Sequence, residues 1–315
     1  VSTDRTGFAA GQGIAAVDQG RRPPELMTTR DVAAYLRIKE RKVYDLVASG
    51  EIPVSRATGK LLFPRDLIEA WVRRRIDYRG DATPLLPRPT VFAGSHDPLL
   101  DWALRESGSE IATFFDGSLD GLRRLAAGRV IGAGVHLFEP EVSDWNIGHV
   151  ERILPGQPVV LMEWARRRQG LVVPAGNPRG IVGVAGLAGC RVAARQPGAG
   201  SRVLLDHLLT EAGLAPGAVT LLDPPARSES DVALAVGEGR ADAGLAIESV
   251  ARQHRLDFVP VADERYDLAL WRREIFEPPI QRLLALARSG AFARRAADLG
   301  GYDVSGFGRI HRNGP

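Results

Sequence analysis

One cysteine in 315 residues leaves no partner for an internal disulfide and too few thiolates for an all-cysteine zinc site. No run approaches the roughly 18 continuous apolar residues that a membrane span needs. The opening stretch, VSTDRTGFAAGQGIAAVDQGRRPPE, has no apolar core of signal-peptide length and carries charge throughout. These absences point to the cytoplasm, with no membrane partner, and to a disordered arm over residues 1–25, in part tag or upstream sequence. Glycine (35) and proline (21) together stay below the share of a low-complexity chain. There is no repeat of fixed period, no zinc-ligand spacing, no GxSxG elbow and no GxxxxGKS or GxxxxGKT phosphate loop. Neither a metal nor another cofactor is expected, and no enzyme activity.

What is present is an ordinary globular composition, 44% apolar and 25% charged. At about 150 residues per domain the length suggests two domains. The net charge of +3 is unevenly placed. Between Leu26 and Arg75 eleven Lys and Arg face six Asp and Glu, a surplus of five, so the rest of the chain is slightly acidic. A small basic module ahead of an acidic body suits either polyanion binding or a merely solvated basic face.

Within that module, Thr28 or Thr29 caps a first helix whose apolar stripe is Val32, Ala33 and Leu36. A second helix buries Val43, Leu46 and Val47 and ends at Ser49-Gly50. IPVSRATGKLLF reads as a hairpin turning at Thr58-Gly59, and Pro64 opens a third helix with the stripe Leu67, Ala70 and Trp71. Helix, tight turn, helix, hairpin and helix in about fifty residues spell a small winged helix-turn-helix. The string MTTRDVAAYLRIKERKVYDLVASGEIPVSRATGKLLFPRDLIEAWVRRR resembles the excisionase/MerR-like helix-turn-helix family. It departs at Lys39, where the family carries Ser or Thr before the second helix. The resemblance and the charge imply binding to double-stranded DNA through Arg30, Glu40, Arg41, Lys42, Tyr44, Arg56 and Lys60. A helical protein-interaction module is the other reading.

IDYRGDATPLLPRPT reads as a linker, placed at 76–89. From residue 90 onward short apolar runs alternate with helical runs, which predicts an α/β architecture with parallel strands. Three junctions share one chemistry: Gly94-Ser95 before a helix capped by Asp97, Gly117-Ser118, and QPGAGSR at 196–202. Each puts free N–H groups and a hydroxyl at a helix N-terminus, where anions are favoured. Asp97, Asp116 and Glu248 disfavour a bare anion, whereas His96 and His136 suit a larger, partly neutral ligand.

The strings AGSHDPLLDWAL, DGSLDGLRRLAAGRVIGAGVHL, QGLVVPAGNPRGI, RQPGAGSRVLLDHLL and GRADAGLAIESVARQHRLDFVPVADERYDLAL resemble the type II periplasmic-binding-protein fold. More narrowly, they resemble the cytoplasmic PBP-like domain found behind helix-turn-helix modules and beside molybdenum-cofactor enzymes. The resemblance covers about 90–310. It implies lobe 1 over about 90–170 and 268–315, lobe 2 over about 171–267, and crossovers near 169–178 and 258–270. It implies a ligand held between the lobes by Ser95, His96, Ser118 and His136 on one side and Gly198, Gly200, Ser201, Arg202 and Glu248 on the other, with Tyr266 beside the returning crossover.

The function expected is a one-component, homodimeric transcriptional regulator sensing a small anionic or pterin-like ligand, most simply molybdate, tungstate or a molybdenum-cofactor-related compound. The alternative is a non-regulatory binding or enzyme component of molybdenum cofactor biosynthesis.

Overall fold

The computed structural model describes residues 25–73, 75 and 87–315. The expected arm and most of the expected linker lie outside the described residues. The chain divides into two compact units between Asp81 and Ala82.

In the first unit, Thr28 caps helix α1 (Thr29–Leu36) with a reciprocal pair. The Asp31 N–H donates to Thr28 Oγ1 at 3.3 Å, and the Thr28 N–H donates to Asp31 Oδ2 at 2.8 Å. Arg37, at φ 54°, turns the chain toward α2 (Glu40–Ala48). Lys39 precedes α2 without a side-chain cap, so packing must hold that end. Strand β1 (Leu26–Met27) pairs antiparallel with β2 (Phe63–Pro64), and α3 (Arg65–Arg73) follows directly. The wing is closed by a bridge between Ser55 and Leu62. Met27, Val32, Val43, Leu46, Ile52, Phe63 and Ile68 form the core. The apolar stripe of α3 differs from the expected Leu67, Ala70 and Trp71. Ile68 is fully buried while Leu67 is 47% exposed, because the seam packed against Phe63 runs through Ile68 and Trp71 and Leu67 sits about 100° around the helix.

The second unit begins as two parallel βα steps: β3 (Val91–Gly94), α4 (Pro98–Glu106), β4 (Ala112–Phe115), α5 (Ser118–Ala126) and β5 (Gly132–Val135). A small ribbon, β6 (Phe138–Glu139) with β7 (Asp144–Trp145), leads to α6 (Ile147–Ile153). The long strand β8 (Val159–Val173) then leaves this lobe for the other. There β9 (Arg191–Ala193), α7 (Gly200–Glu211), β10 (Thr220–Leu221), α8 (Glu229–Gly237), β11 (Ala243–Ile247) and α9 (Glu248–Gln253) repeat the pattern. Strand β12 (Asp257–Trp271) returns, and α10 (Pro278–Ala287), α11 (Gly290–Leu299), β13 (Tyr302–Asp303) and β14 (Ile310–Asn313) complete the unit.

The sheet order is β10-β9-β11-β8-β12-β5-β3-β4, with β13 and β14 also on β8. Parallel pairing holds within each lobe, and β8 and β12 join them antiparallel. The first crossover strand starts ten residues before the expected 169 and ends at Val173. VVLMEWA is a continuous buried run, the pattern of a strand covered on both faces. Register shifts between Pro260 and Ala262 and between Tyr266 and Asp267 bend β12 as it passes between lobes. Lobe 1 holds cores around Phe92, Trp164 and Phe292 on one face of the sheet and Leu122, Val135 and Leu161 on the other. Lobe 2 packs Leu171, Val192, Leu205 and Leu245.

Candidate functional site

The crossover strands carry charge into the interior of the second unit. Along β8, Arg167 and Gln169 share one face of the sheet, and along the neighbouring β12, Glu264, directly opposite Arg167, and Tyr266 lie on that same face. All four are buried. Arg167 ion-pairs with Asp97 at 2.9 Å and with Glu264, and its guanidinium lies 4.3 Å from the Tyr266 ring centroid. Gln169 donates to Glu264 at 3.1 Å and to Glu229 at 3.2 Å, and Tyr302 donates to Asp97 at 2.7 Å. Burial pushes the Glu264 carboxyl upward, but Arg167 and His136 outweigh it and hold the group below its ordinary value. Burial alone would lower the Arg167 pKa; Glu264 and Asp97 reverse this and raise it well above the usual range.

His136, just beyond β5, is the hub. Its Nε2 lies 2.8 Å from Ser95 Oγ and its Nδ1 2.8 Å from Glu264 Oε2. Its backbone N–H donates to Ser118 Oγ at 3.2 Å. Gly200 packs directly against it: a Cβ there would lie 2.4 Å from His136 O and 2.7 Å from Cε1, so only glycine fits. The three glycine–serine junctions therefore meet around one buried histidine.

Two of those junctions face each other across the lobes. Gly117 and Ala199 precede α5 and α7, and neither end has a side-chain cap. A Cβ on Gly117 would lie 3.5 Å from Ala199 Cα and 3.8 Å from Gly198 O. Two positive helix ends thus abut. Ser201 Oγ, buried on the first turn of α7, has no hydrogen-bond partner. Beside them Arg195 is 4% exposed. It donates from Nε to Gln196 Oε1 at 3.2 Å and, among the described residues, makes no ion pair. Burial lowers its pKa, offset in part by Glu229 and Asp231. Gln196 Nε2 reaches across to Asp116 O at 3.3 Å, and Arg227 pairs with the Asp116 carboxylate.

The remaining expected site residues have these surroundings. Arg202 turns along its own helix, where Nε donates to Asp206 at 2.9 Å, and its Nη1 donates to Arg195 O at 3.4 Å. Glu248 is held by Arg252 at 2.7 Å and Arg168 at 2.9 Å. His96 is exposed and stacks edge-on with Phe115, 5.5 Å between centroids. It lines a groove of about 750 Å³ with Trp102, Arg252 and Arg295. Gly198 packs on Leu119. Tyr266 donates its hydroxyl to Ser95 O and lies over the His136 ring at 5.9 Å.

Sequence reasoning missed Arg167, Gln169, Arg195, Glu229 and Glu264. The signal was available for three of them. The period of two in strands β8 and β12 puts Arg167 with Gln169, and Glu264 with Tyr266, on one face of each strand. Arg195 carried no such mark.

On the first unit, Arg30, Glu40, Arg41, Lys42, Tyr44, Arg56 and Lys60 are all exposed, Tyr44 by 51%. Among the described residues no helix is long and apolar enough to cross a membrane, and no cluster of His, Cys, Asp and Glu could hold a metal ion.

The comparisons with known proteins follow this division. Residues 26–76 match a helix-turn-helix domain and residues 102–288 a PBP superfamily domain. The uncharacterized protein YvgK of Bacillus subtilis is 27% identical over 299 residues, 90% of this chain and 96% of that protein. The uncharacterized protein in ferredoxin 2Fe-2S gene 5′ region of Clostridium pasteurianum is 30% identical over 109 residues, 34% of this chain and 96% of that one. The solved sulfate-binding protein SubI from Mycobacterium tuberculosis is 15% identical with a TM-score of 0.49, over 70% of this chain and 88% of that one. With more than half its length matched by one family, the chain belongs to the PBP superfamily, here preceded by a helix-turn-helix domain.

Proposed function

We propose that the protein is a one-component transcriptional regulator of the cytoplasm that binds duplex DNA as a homodimer and is switched by a small oxyanion held between its lobes. Two abutting, uncapped helix N-termini carry this reading. Their positive ends repel unless an anion sits beside them, and Ser201 and Arg195 supply an unpartnered hydroxyl and an unpaired buried cation there. An anion touching both lobes binds the closed state better than the open one, which is the differential affinity a switch requires. The close approach of Gly117 and Ala199 favours a compact oxyanion such as molybdate or tungstate over a pterin ring. The exposed basic face of the first unit supports phosphate contacts and, through α2, base contacts.

A thermal-shift titration with molybdate, tungstate, sulfate and phosphate tests the ligand. An anion at 100 times its dissociation constant adds about 2.7 kcal/mol of stability. The shift should vanish in Arg195→Gln and Ser201→Ala and persist in Arg202→Gln. A native protein indifferent to all four anions, or an Arg202→Gln variant as unresponsive as Arg195→Gln, rejects the assignment. DNA binding is read by retardation of the gene's own upstream region with and without the stabilising anion.

A further inference from the structure

The geometry points to a second activity in the same cleft: we propose that Ser95 is a nucleophile, with His136 as its base and Glu264 orienting the base, and that it cleaves a small carboxylic ester. This goes beyond the regulator reading and does not rest on it.

The polarity of the hydrogen bonds carries the assignment. Glu264 is paired with Arg167 and accepts from Gln169, so it meets His136 as a carboxylate, an acceptor. The proton between them therefore sits on His136 Nδ1, 2.8 Å from Glu264 Oε2. On the neutral imidazole Nε2 keeps its lone pair, and the Ser95 hydroxyl, 2.8 Å away, is placed to donate to it. That is the arrangement in which an imidazole takes a proton from an attacking hydroxyl.

The backbone presents this serine sharply. Gly94, at φ 99°, ends β3 in a conformation where a Cβ would lie 2.2 Å from Gly134 O. The Asp97 cap then starts α4 two residues after Ser95, and the Tyr266 hydroxyl fixes the Ser95 carbonyl. The uncapped first turns of α5 and α7 flank the same histidine through Ser118 and Gly200. Positive helix ends beside the nucleophile stabilise the negative oxygen of a tetrahedral intermediate. Ser95 itself is 1% exposed, so substrate enters when the lobes part. His96, the next residue, already lines the 750 Å³ groove.

The step balances with water alone. Ser95 Oγ bonds to the ester carbon as its proton passes to His136 Nε2. The tetrahedral intermediate collapses by breaking the bond to the alcohol oxygen, which takes that proton and leaves. Water attacks the acyl-serine by the same route, releasing the acid and restoring Ser95.

The test is labelling of the full chain with an alkyl fluorophosphonate, which loses fluoride to an activated serine, followed by peptide mass spectrometry and by hydrolysis of p-nitrophenyl acetate. A stoichiometric adduct on Ser95 is expected, absent in Ser95→Ala and formed at least 100-fold more slowly in His136→Gln. Glu264→Gln should slow labelling and move its pH profile. No Ser95 adduct on the native chain overturns the proposal, whether or not the variants fold. So does an adduct that forms equally fast in folded His136→Gln, which would leave a merely accessible serine. Oxyanion stabilisation in the thermal shift is a separate readout, so either reading can fail alone.

Discussion

The first unit turns its charged side chains outward; the second draws many of its own inward. Arg41, Lys42, Arg56 and Lys60 stand in solvent on a module whose core is a handful of apolar residues. Arg167, Asp97 and Glu264 are each essentially fully buried, and each is paired. Size explains part of the contrast. About fifty residues bury too little surface to enclose an ion cluster, whereas a two-lobed body can surround one and supply a partner for every charge. Function explains the rest. An outward cation meets a large, wet polyanion, and an inward one shapes a small site where the dielectric is low.

The largest consequence falls on Arg167. Replacing it with methionine keeps much of the volume but leaves Asp97 and Glu264 buried without their cation. Breaking a buried pair in this way costs about 3–5 kcal/mol. Arg41→Ala, on the exposed face of α2, should change stability by less than about 0.5 kcal/mol. Urea unfolding of the full chain followed by circular dichroism measures both, and if the two substitutions cost the same the inward–outward contrast has no energetic meaning.

How far the sequence revealed this contrast depends on which side of it a residue lies. The helix-turn-helix was legible nearly residue by residue, because Thr28, Val32, Val43 and Leu46 obey local capping and 3.6-residue periodicity. The rotation of α3 went unread, since Leu67 and Ile68 are equally apolar and tertiary packing on Phe63 decides between them, and so did the pairing of Leu26–Met27 with Phe63–Pro64, which puts Pro64 in a strand rather than at the start of the helix. In the second unit the convergence of three Gly–Ser junctions was legible, being a local signal repeated three times. Glu264 and His136 are 128 positions apart, and no local rule pairs them. Arg202, expected as the site's cation by its position on α7, pairs with its i+4 neighbour Asp206 and also donates to Arg195 O. Arg195, with no such i+4 acid, is the more deeply buried of the two.

Acid should sharpen the contrast with a smaller effect. In the folded protein Glu264 titrates below its ordinary value, so its contribution is complete above about pH 4.5 and is lost as pH falls through the lowered value. Asp31 is also held low, by the Thr28 backbone N–H and hydroxyl, but at a solvent-exposed cap where screening weakens the effect. Melting temperatures of native and Glu264→Gln protein should therefore differ near neutrality and converge only as pH falls through that lowered value. No difference between the two proteins at neutral pH would show that the carboxylate form of Glu264 contributes nothing to stability.

The smallest effect on the fold and the most diagnostic for function belongs to Arg41. Exposed on the first turn of α2 beside Glu40 and Tyr44, it has no packing to lose. If this face meets DNA through the phosphate backbone, Arg41→Ala should weaken binding uniformly across sequences and reduce the slope of log affinity against log salt by about 1. If Arg41 instead grips a base edge, the loss is about 1–3 kcal/mol and is confined to the preferred sequence. Titrations on operator and unrelated duplexes at several salt concentrations separate the two outcomes. A variant that binds both duplexes as the native chain does would move the DNA interface off the N-terminal end of α2, even though the charge surplus of the module would remain.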